Sequence, residues 1–278
     1  MNKLFRTALT VTALSSIPCL VYAQGSDGQN HEGGGQKKWD ITIGAGVFAS
    51  PTYLGDDELQ ISVFPNIRVE YDDRFILGID GAEFAVINTD NFRLGPVFRY
   101  DFGRDENGSN PLAVTNDDNT DLVGLGDIDG TPEFGGFLEY KFNSITTRIE
   151  ARQGIDGHEG LVGEASVKYN HMFSLAGKSA FLLVGPSVTY GDDDYNSTYF
   201  DVSVAQALAS GLSVYDADGG INSAGLEAAL YRPLTDKVSV VLFADYDRLL
   251  GDIADSPLVE ERGAEDQFTG GIFLNYRF

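Results

Sequence analysis

The chain ends on a strand with two unlike faces. Ile272, Leu274, Tyr276 and Phe278 alternate with Phe273, Asn275 and Arg277. A β-strand turns successive side chains to opposite sides. One face is therefore wholly apolar and finishes on two aromatics, while the other carries an amide and a guanidinium. Two environments accept such a strand. One is the half-buried edge of a soluble β-sandwich; the other is the wall of a membrane barrel, whose outer face meets lipid. The other end of the chain bears on the choice.

Met1–Arg6 carries Lys3 and Arg6 and no acid, Thr7–Val21 is apolar and small, and Val21-Tyr22-Ala23 precedes Gln24. That order is the one a secretory signal peptide uses, with cleavage expected after Ala23. Residues 24–38 are polar and glycine-rich and are expected to form a flexible leader; residues 39–278 are expected to form one barrel domain. The single cysteine, Cys19, lies within the signal, so the mature chain is expected to fold without disulfides. An exported chain that closes on a terminal Phe strand resembles the bacterial outer-membrane β-barrels, whose last strand is read by the assembly machinery.

Hydropathy alone points elsewhere. The mean is −0.13, and no stretch after residue 23 approaches the roughly 20 apolar residues of a membrane helix. Transmembrane barrels give this result because lipid-facing and lumen-facing residues alternate and cancel. From Trp39 onward the pattern has period two. Trp39, Ile41, Ile43, Ala45 and Val47 share a face. So do Ile145, Thr147, Ile149 and Ala151, with Arg148, Glu150 and Arg152 opposite. Further strands are expected near 61–71, 75–79, 92–102, 134–142, 160–173, 179–190, 198–205, 220–231, 237–247 and 267–278. The predicted fold is all-β, a transmembrane antiparallel barrel of twelve strands; fourteen result if 82–88 and 212–217 add two short ones. Pro65, Pro96 and Pro186 interrupt strand patterns and are expected to mark bulges. Segments 50–59, 103–133 and 248–266 read as long outer loops. Turns at 72–74, 143–144, 174–178 and 232–236 read as short periplasmic ones.

The net charge of −23 excludes nucleic acid, whose affinity comes from neutralised phosphates. Loss of the two signal cations, Lys3 and Arg6, takes the mature chain to about −25. The acids gather in loops, at Asp56-Asp57-Glu58, Asp192-Asp193-Asp194, Glu260-Glu261 and through 103–133. Calcium takes six to eight oxygens. Asp127-Ile128-Asp129-Gly130 opens like a calcium loop but lacks the later ligands, so the acidic loops read as solvated and self-repelling. His158 sits between glycines at 157 and 160 and reads as a turn residue. No Gly-x-Ser-x-Gly occurs, and a hydrolase needs an activated nucleophile. The sequence therefore assigns no catalytic, cofactor-binding or metal-ligating residue and no cofactor. Arg68, Glu70, Arg148, Glu150 and Arg152 are expected in the lumen, where replacing Arg148 or Arg152 by Gln should leave assembly intact.

Six segments in order carry a family resemblance: GVFASPTYLGDD (46–57), LGPVFRYDFGR (94–104), EARQGIDGHEG (150–160), GPSVTYGDDDYNSTYFDV (185–202), QALASGLSVYDADGG (206–220) and YDRLLGDIADSPLVE (246–260). Together they resemble the MipA/OmpV family of outer-membrane proteins. The insert at 105–133 resembles nothing in that pattern. The resemblance implies a bacterial outer-membrane barrel without catalytic activity, in contact with lipid and lipopolysaccharide. It implies a scaffold role toward two periplasmic murein enzymes, a lytic transglycosylase and a penicillin-binding protein. A small-solute pore or osmoregulated surface protein is the alternative. No partner-contact residue carries over.

Overall fold

The computed structural model describes residues 38–108, 110, 112–115 and 119–278. The expected signal peptide and all but the last residue of the expected leader lie outside the described residues. Thirteen strand segments follow: β1 (Trp39–Pro51), β2 (Leu59–Tyr71), β3 (Phe75–Leu77), β4 (Gly81–Phe84), β5 (Ile87–Asn88), β6 (Phe92–Asp101), β7 (Thr131–Phe142), β8 (Ile145–Gly154), β9 (Leu161–Leu175), β10 (Lys178–Gly191), β11 (Gly220–Pro233), β12 (Val238–Leu249) and β13 (Asp266–Arg277). β4 and β5 both pair with β6 and are two halves of one stave, broken at Ala85 and Val86. β13 returns to β1, with Leu274 opposite Ala45, and β4 pairs with β3. The result is a closed antiparallel barrel of twelve strands. Closure leaves the sheet as a whole without a free edge.

The count agrees with the sequence reading, but one stave differs. Segment 198–205, expected as a strand, is helical, and 82–88 supplies the missing stave. Asp192 caps α1 (Asp193–Phe200) by accepting from the Tyr195 amide. Ser203 and Gln206 form a capping box on α2 (Val204–Ser210). Two caps within twelve residues start helices that the apolar alternation hides. Segment 212–217 contributes one isolated bridge, Val202 to Tyr215.

Only Pro96 lies at a bulge. It faces the break between β4 and β5, where Val97 pairs with Glu83 and Leu94 with Ile87. Pro65 keeps its register against β1, and its other side faces no strand, because β3 reaches β2 only at Val69–Tyr71. Pro186 also keeps register, opposite Leu226. A missing N–H is tolerated wherever a ladder bond is absent.

The two rims are unlike. One carries tight turns, among them Asp72-Asp73 and Ala176-Gly177, whose positive φ values give the twist that a tight hairpin needs. The described chain also begins and ends at this rim. The other rim carries long loops at 52–58, 102–130, 192–219 and 250–265, the last with the short helices α3 (Gly251–Ala254) and α4 (Pro257–Glu260). The outer face is apolar, with Ile41, Ile67, Ile149, Leu242, Ile272 and Leu274 all exposed. Aromatics gather at both margins of this band. Trp39 and Tyr71 pack at 4.6 Å near the turn rim, and Phe98 and Phe134 at 4.9 Å near the loop rim. Phe268 and Tyr276 mark the two margins on β13, about 27 Å apart along the strand at the usual rise. At a strand tilt of about 40° this is about 20 Å along the barrel axis, which with the aromatic margins suits a bilayer-spanning wall. No described helix is long and apolar enough to cross a membrane.

Candidate functional site

At mid-height the barrel interior is filled by two unlike clusters. Strands β10 to β13, β1 and β2 turn Leu183, Val241, Phe243, Phe273, Phe48 and Phe64 inward. These pack as one buried apolar layer, with Ile79 and Leu112 against it. Strands β4 to β8 turn charges inward instead. Arg148 holds Glu83 at 2.7 Å, Glu150 at 2.6 Å and Glu139 at 3.5 Å. Arg152 holds Glu133 at 2.7 Å and Glu150 at 2.8 Å. Arg93 and Arg99 complete the set on Glu83 and Glu150 at 3.2 Å each. Phe137 lies beneath, with the Arg148 guanidinium 4.5 Å from its ring centre. Arginine suits this role because its planar fork can serve two or three carboxylates at once.

The five charges expected in the lumen are there, but they are locked. Arg68 bonds to Glu70, and Arg148, Glu150 and Arg152 are the centre of the network. Removing one arginine would strand buried carboxylates, so the expectation that Arg148→Gln or Arg152→Gln is harmless does not hold on this geometry.

Above these clusters, toward the loop rim, lies a chamber. Its wall includes Ser50, Arg152, Glu164, Thr189, Ser223, Asp247 and Thr269, and its roof includes Tyr195 of α1 and Ile253 of α3. The roof is anchored. Asn196 and Asn222 exchange reciprocal amide bonds of 2.7 and 3.0 Å, and Ser256 donates to the Phe200 carbonyl at 2.8 Å. Arg104 donates to the Tyr199 carbonyl at 2.7 Å. Burial lowers the Arg104 pKa to about 10.

The acidic loops are less solvated than their composition suggests. Glu106 accepts from the amides of Gly124 and Gly126 at 3.2 Å each, and Asp127 accepts from the Glu106 amide at 3.1 Å. Asp56 is buried and accepts from Thr52, the Glu58 amide and Asn119. These carboxylates bind the loops together.

His158 is a turn residue, as read, but a buried one. Its Nδ1 accepts from the Gly160 amide at 3.1 Å, and its Nε2 lies 3.0 Å from Glu133. Asp101, Glu133 and His158 bring ligand atoms within 4.8 Å of one another, the spacing of a metal site. The hydrogen bonding argues against one. With Nδ1 accepting, the ring proton sits on Nε2, which then donates to Glu133 and has no lone pair for a metal. Neither ring nitrogen holds a serine or threonine hydroxyl, so the trio is not a nucleophile–base pair either. Asp101 accepts from the Tyr199 hydroxyl at 2.8 Å, which ties the β6 rim to the roof.

The chamber's charge was legible but unread. Asp245 and Asp247 alternate with Leu242, Ala244 and Tyr246 along β12, so the same period that sends the apolar groups outward sends both acids inward. Glu83 is carried by a stave too short to show a period.

A closed antiparallel barrel with an apolar belt, aromatic margins and one looped rim defines an outer-membrane β-barrel protein. The sequence profile described as "MltA-interacting protein MipA" matches residues 43–278, and the chain belongs to that family. It is similar to outer membrane protein Omp26La of Vibrio anguillarum, 25% identical over 99% of this chain and 98% of that one. It is also similar to outer membrane protein OmpV of Vibrio cholerae, 24% identical over the same shares. Among solved structures, the COG4313 outer membrane channel from Pseudomonas putida F1 overlays 89% of this chain and all of that one, at 12% identity and a TM-score of 0.40.

Proposed function

We propose that the protein is a non-enzymatic scaffold of the outer membrane that docks periplasmic murein-remodelling enzymes through its turn rim. The partners in this reading are a lytic transglycosylase and a penicillin-binding protein. The observation that carries it is the filled mid-lumen. A solute path would have to cross either the aromatic layer around Phe243 and Phe273 or the paired arginines and glutamates. The family's descriptive name supports an interaction role. In this reading the signal is cleaved after Ala23, and the leader 24–38 belongs to the periplasmic side with the turn rim. Residues 39–278 act as one barrel domain.

The test is crosslinking in cells followed by recovery of the barrel. Enrichment of a murein hydrolase or synthase, lost when the turns at 72–73, 143–144 and 234–237 are replaced together, is the expected outcome. Unchanged recovery after that replacement would assign docking elsewhere.

A further inference from the structure

Among the described residues, the outward positions of the strands carry charge at only two places. At the loop margin Arg248 and Asp266 pair with each other at 3.0 Å. At the turn margin stand Lys178 and Arg232, with His171 beside them, and no acid. The facing follows from the layer inside. Phe181, Leu183, Ala229 and Tyr231 pack inward, so Ala180, Leu182, Leu230 and Arg232 point outward. Ala180 stands opposite Phe173 on β9 and, one step past the Phe181–Tyr231 pair, opposite Arg232 on β11. It is 1% exposed although it faces outward, so its larger neighbours cover it. Arg232 is half-buried among them, and its Nε is buried with no hydrogen-bond partner. Lys178, diagonal to Arg232 at about 7 Å, donates to the Leu234 carbonyl, a neutral group. His171 is stacked between Tyr169 and Phe173, 5.9 Å from each ring centre. Asp236, in the turn that follows β11, forms no ion pair with Lys178 or Arg232. A chain of net charge −23 thus keeps a cationic corner on its wall that no carboxylate neutralises.

We infer that this corner is a binding site for the phosphate of an anionic glycerophospholipid in the leaflet that meets the turn rim. A buried guanidinium donor with no acceptor calls for an anion, and arginine grips phosphate through two N–H groups at once. The position selects a lipid over a free phosphate ion. Arg232 is level with Val240 and Leu274, and the next outward residue toward the rim is Tyr276, so the guanidinium lies in the aromatic margin where headgroups sit. Toward mid-membrane the same face continues as Leu182, Leu230 and Leu242, an apolar bed for acyl chains. Short turns mark the periplasmic rim of such barrels, and the leaflet there is built of phospholipid. A zwitterionic headgroup would bring an ammonium toward Lys178 and Arg232, a like-charge contact that an anionic headgroup avoids.

The experiment uses the full mature chain in nonionic detergent micelles. Phosphatidylglycerol, phosphatidylcholine and glycerol phosphate are each titrated, and heat unfolding is read at each concentration. The expected result is saturable stabilisation by phosphatidylglycerol that phosphatidylcholine matches only at about tenfold or more higher concentration, with no response to glycerol phosphate over the same range. Arg232→Gln should weaken the phosphatidylglycerol response by about tenfold or more while keeping the β-type circular dichroism. Arg248→Gln, at the opposite rim, should leave that response unchanged. Should Arg232→Gln fail to fold, Lys178→Gln provides the same reading. Equal responses to the two lipids, an unchanged response in a folded Arg232→Gln or Lys178→Gln protein, or glycerol phosphate acting as well as the lipid would each overturn the assignment.

Discussion

At the scale of single residues, the barrel wall separates two kinds of position that differ by one step along a strand. Ile149 is 51% exposed and Leu242 43% exposed on the outer face. Arginine at either site should cost about 2–4 kcal/mol at mid-membrane, measured by urea unfolding in lipid vesicles. The neighbouring inward position has a different reason to resist change. Arg152→Gln leaves Glu133 and Glu150 each short of a partner at 2.7 and 2.8 Å, and should cost about 3 kcal/mol. The double variant Arg152→Gln with Glu150→Gln should cost less than the two singles added together, and strict additivity would refute coupling through the pair. Asp56, in the loop after β1, gives a pH signature. Burial raises its pKa above the ordinary carboxylate value, against the hydrogen bonds from Thr52 and the Glu58 amide. The folded state therefore holds this proton more tightly than the unfolded state does. Its stabilising contribution is complete below the unfolded pKa and is lost as pH rises through the higher, folded one. Asp56→Asn should remove that slope, so that unfolding midpoints of wild type and variant diverge as pH rises from the acid side toward neutrality. Parallel curves would rule out Asp56 as the source.

At the scale of elements, the last strand does the closing. β13 pairs with β12 on one side and with β1 from Thr42 to Ala49 on the other. Phe278 extends it by one hydrogen bond, donating to the Ile41 carbonyl at 3.0 Å, and packs edge-on against Tyr276 at 4.9 Å. Deleting Phe278 should lower the outer-membrane level of the protein far more than deleting residues 24–37, read by quantitative blotting of membrane fractions; equal levels would contradict a role for the end of the strand. The long staves were legible because each shows period two over ten or more residues, as β7 through β13 do. The short ones were not. β3 has three residues and β5 two, fewer than a period needs to declare itself, and their pairing is imposed by closure of the ring. Segment 198–205 was misread for a complementary reason. Phe200, Val202 and Val204 alternate with Asp201 and Ser203, yet Phe200 at the end of α1 and Val202 in the link to α2 are both buried in the roof. Here the capping side chains, Asp192 and Ser203, outweigh the alternation. The same competition explains why the chamber was not foreseen. Its walls are strand residues with a readable period, but its roof depends on Asn196 meeting Asn222 and Arg104 meeting Tyr199, contacts between segments far apart in the chain.

At the scale of the whole molecule, the question is what a barrel closed by its own side chains can transmit. Twelve strands enclose enough room for a polar lumen, and the loop 102–130 folds over one mouth, so the loop alone could be taken for the gate. The geometry places the closure lower. Phe48, Phe243 and Phe273 lie below the chamber, within the membrane-spanning height, and the arginine–glutamate network occupies the lumen on the side of β4 to β8. Removing residues 105–130 takes Leu112 away from the layer and its hydrogen bonds away from β2, but leaves the six buried residues of the layer and the arginine–glutamate network, so the protein should stay silent in planar bilayers, apart from changes in how readily it inserts. Opening the apolar layer should not. The double variant Phe48→Ser with Phe243→Ser removes two rings from the layer and places hydroxyls where water can follow. It should conduct in steady steps, and those currents should favour cations, because Glu227, Asp245 and Asp247 then face the path. The pair of measurements distinguishes two mechanisms. Conductance that rises on deleting the loop, with the double variant no different from wild type, would make the loop the gate and favour the solute-pore reading over the scaffold. Silence after loop deletion and cation current after opening the layer would show a lumen sealed at its core, and leave the rims as the surfaces through which the molecule acts.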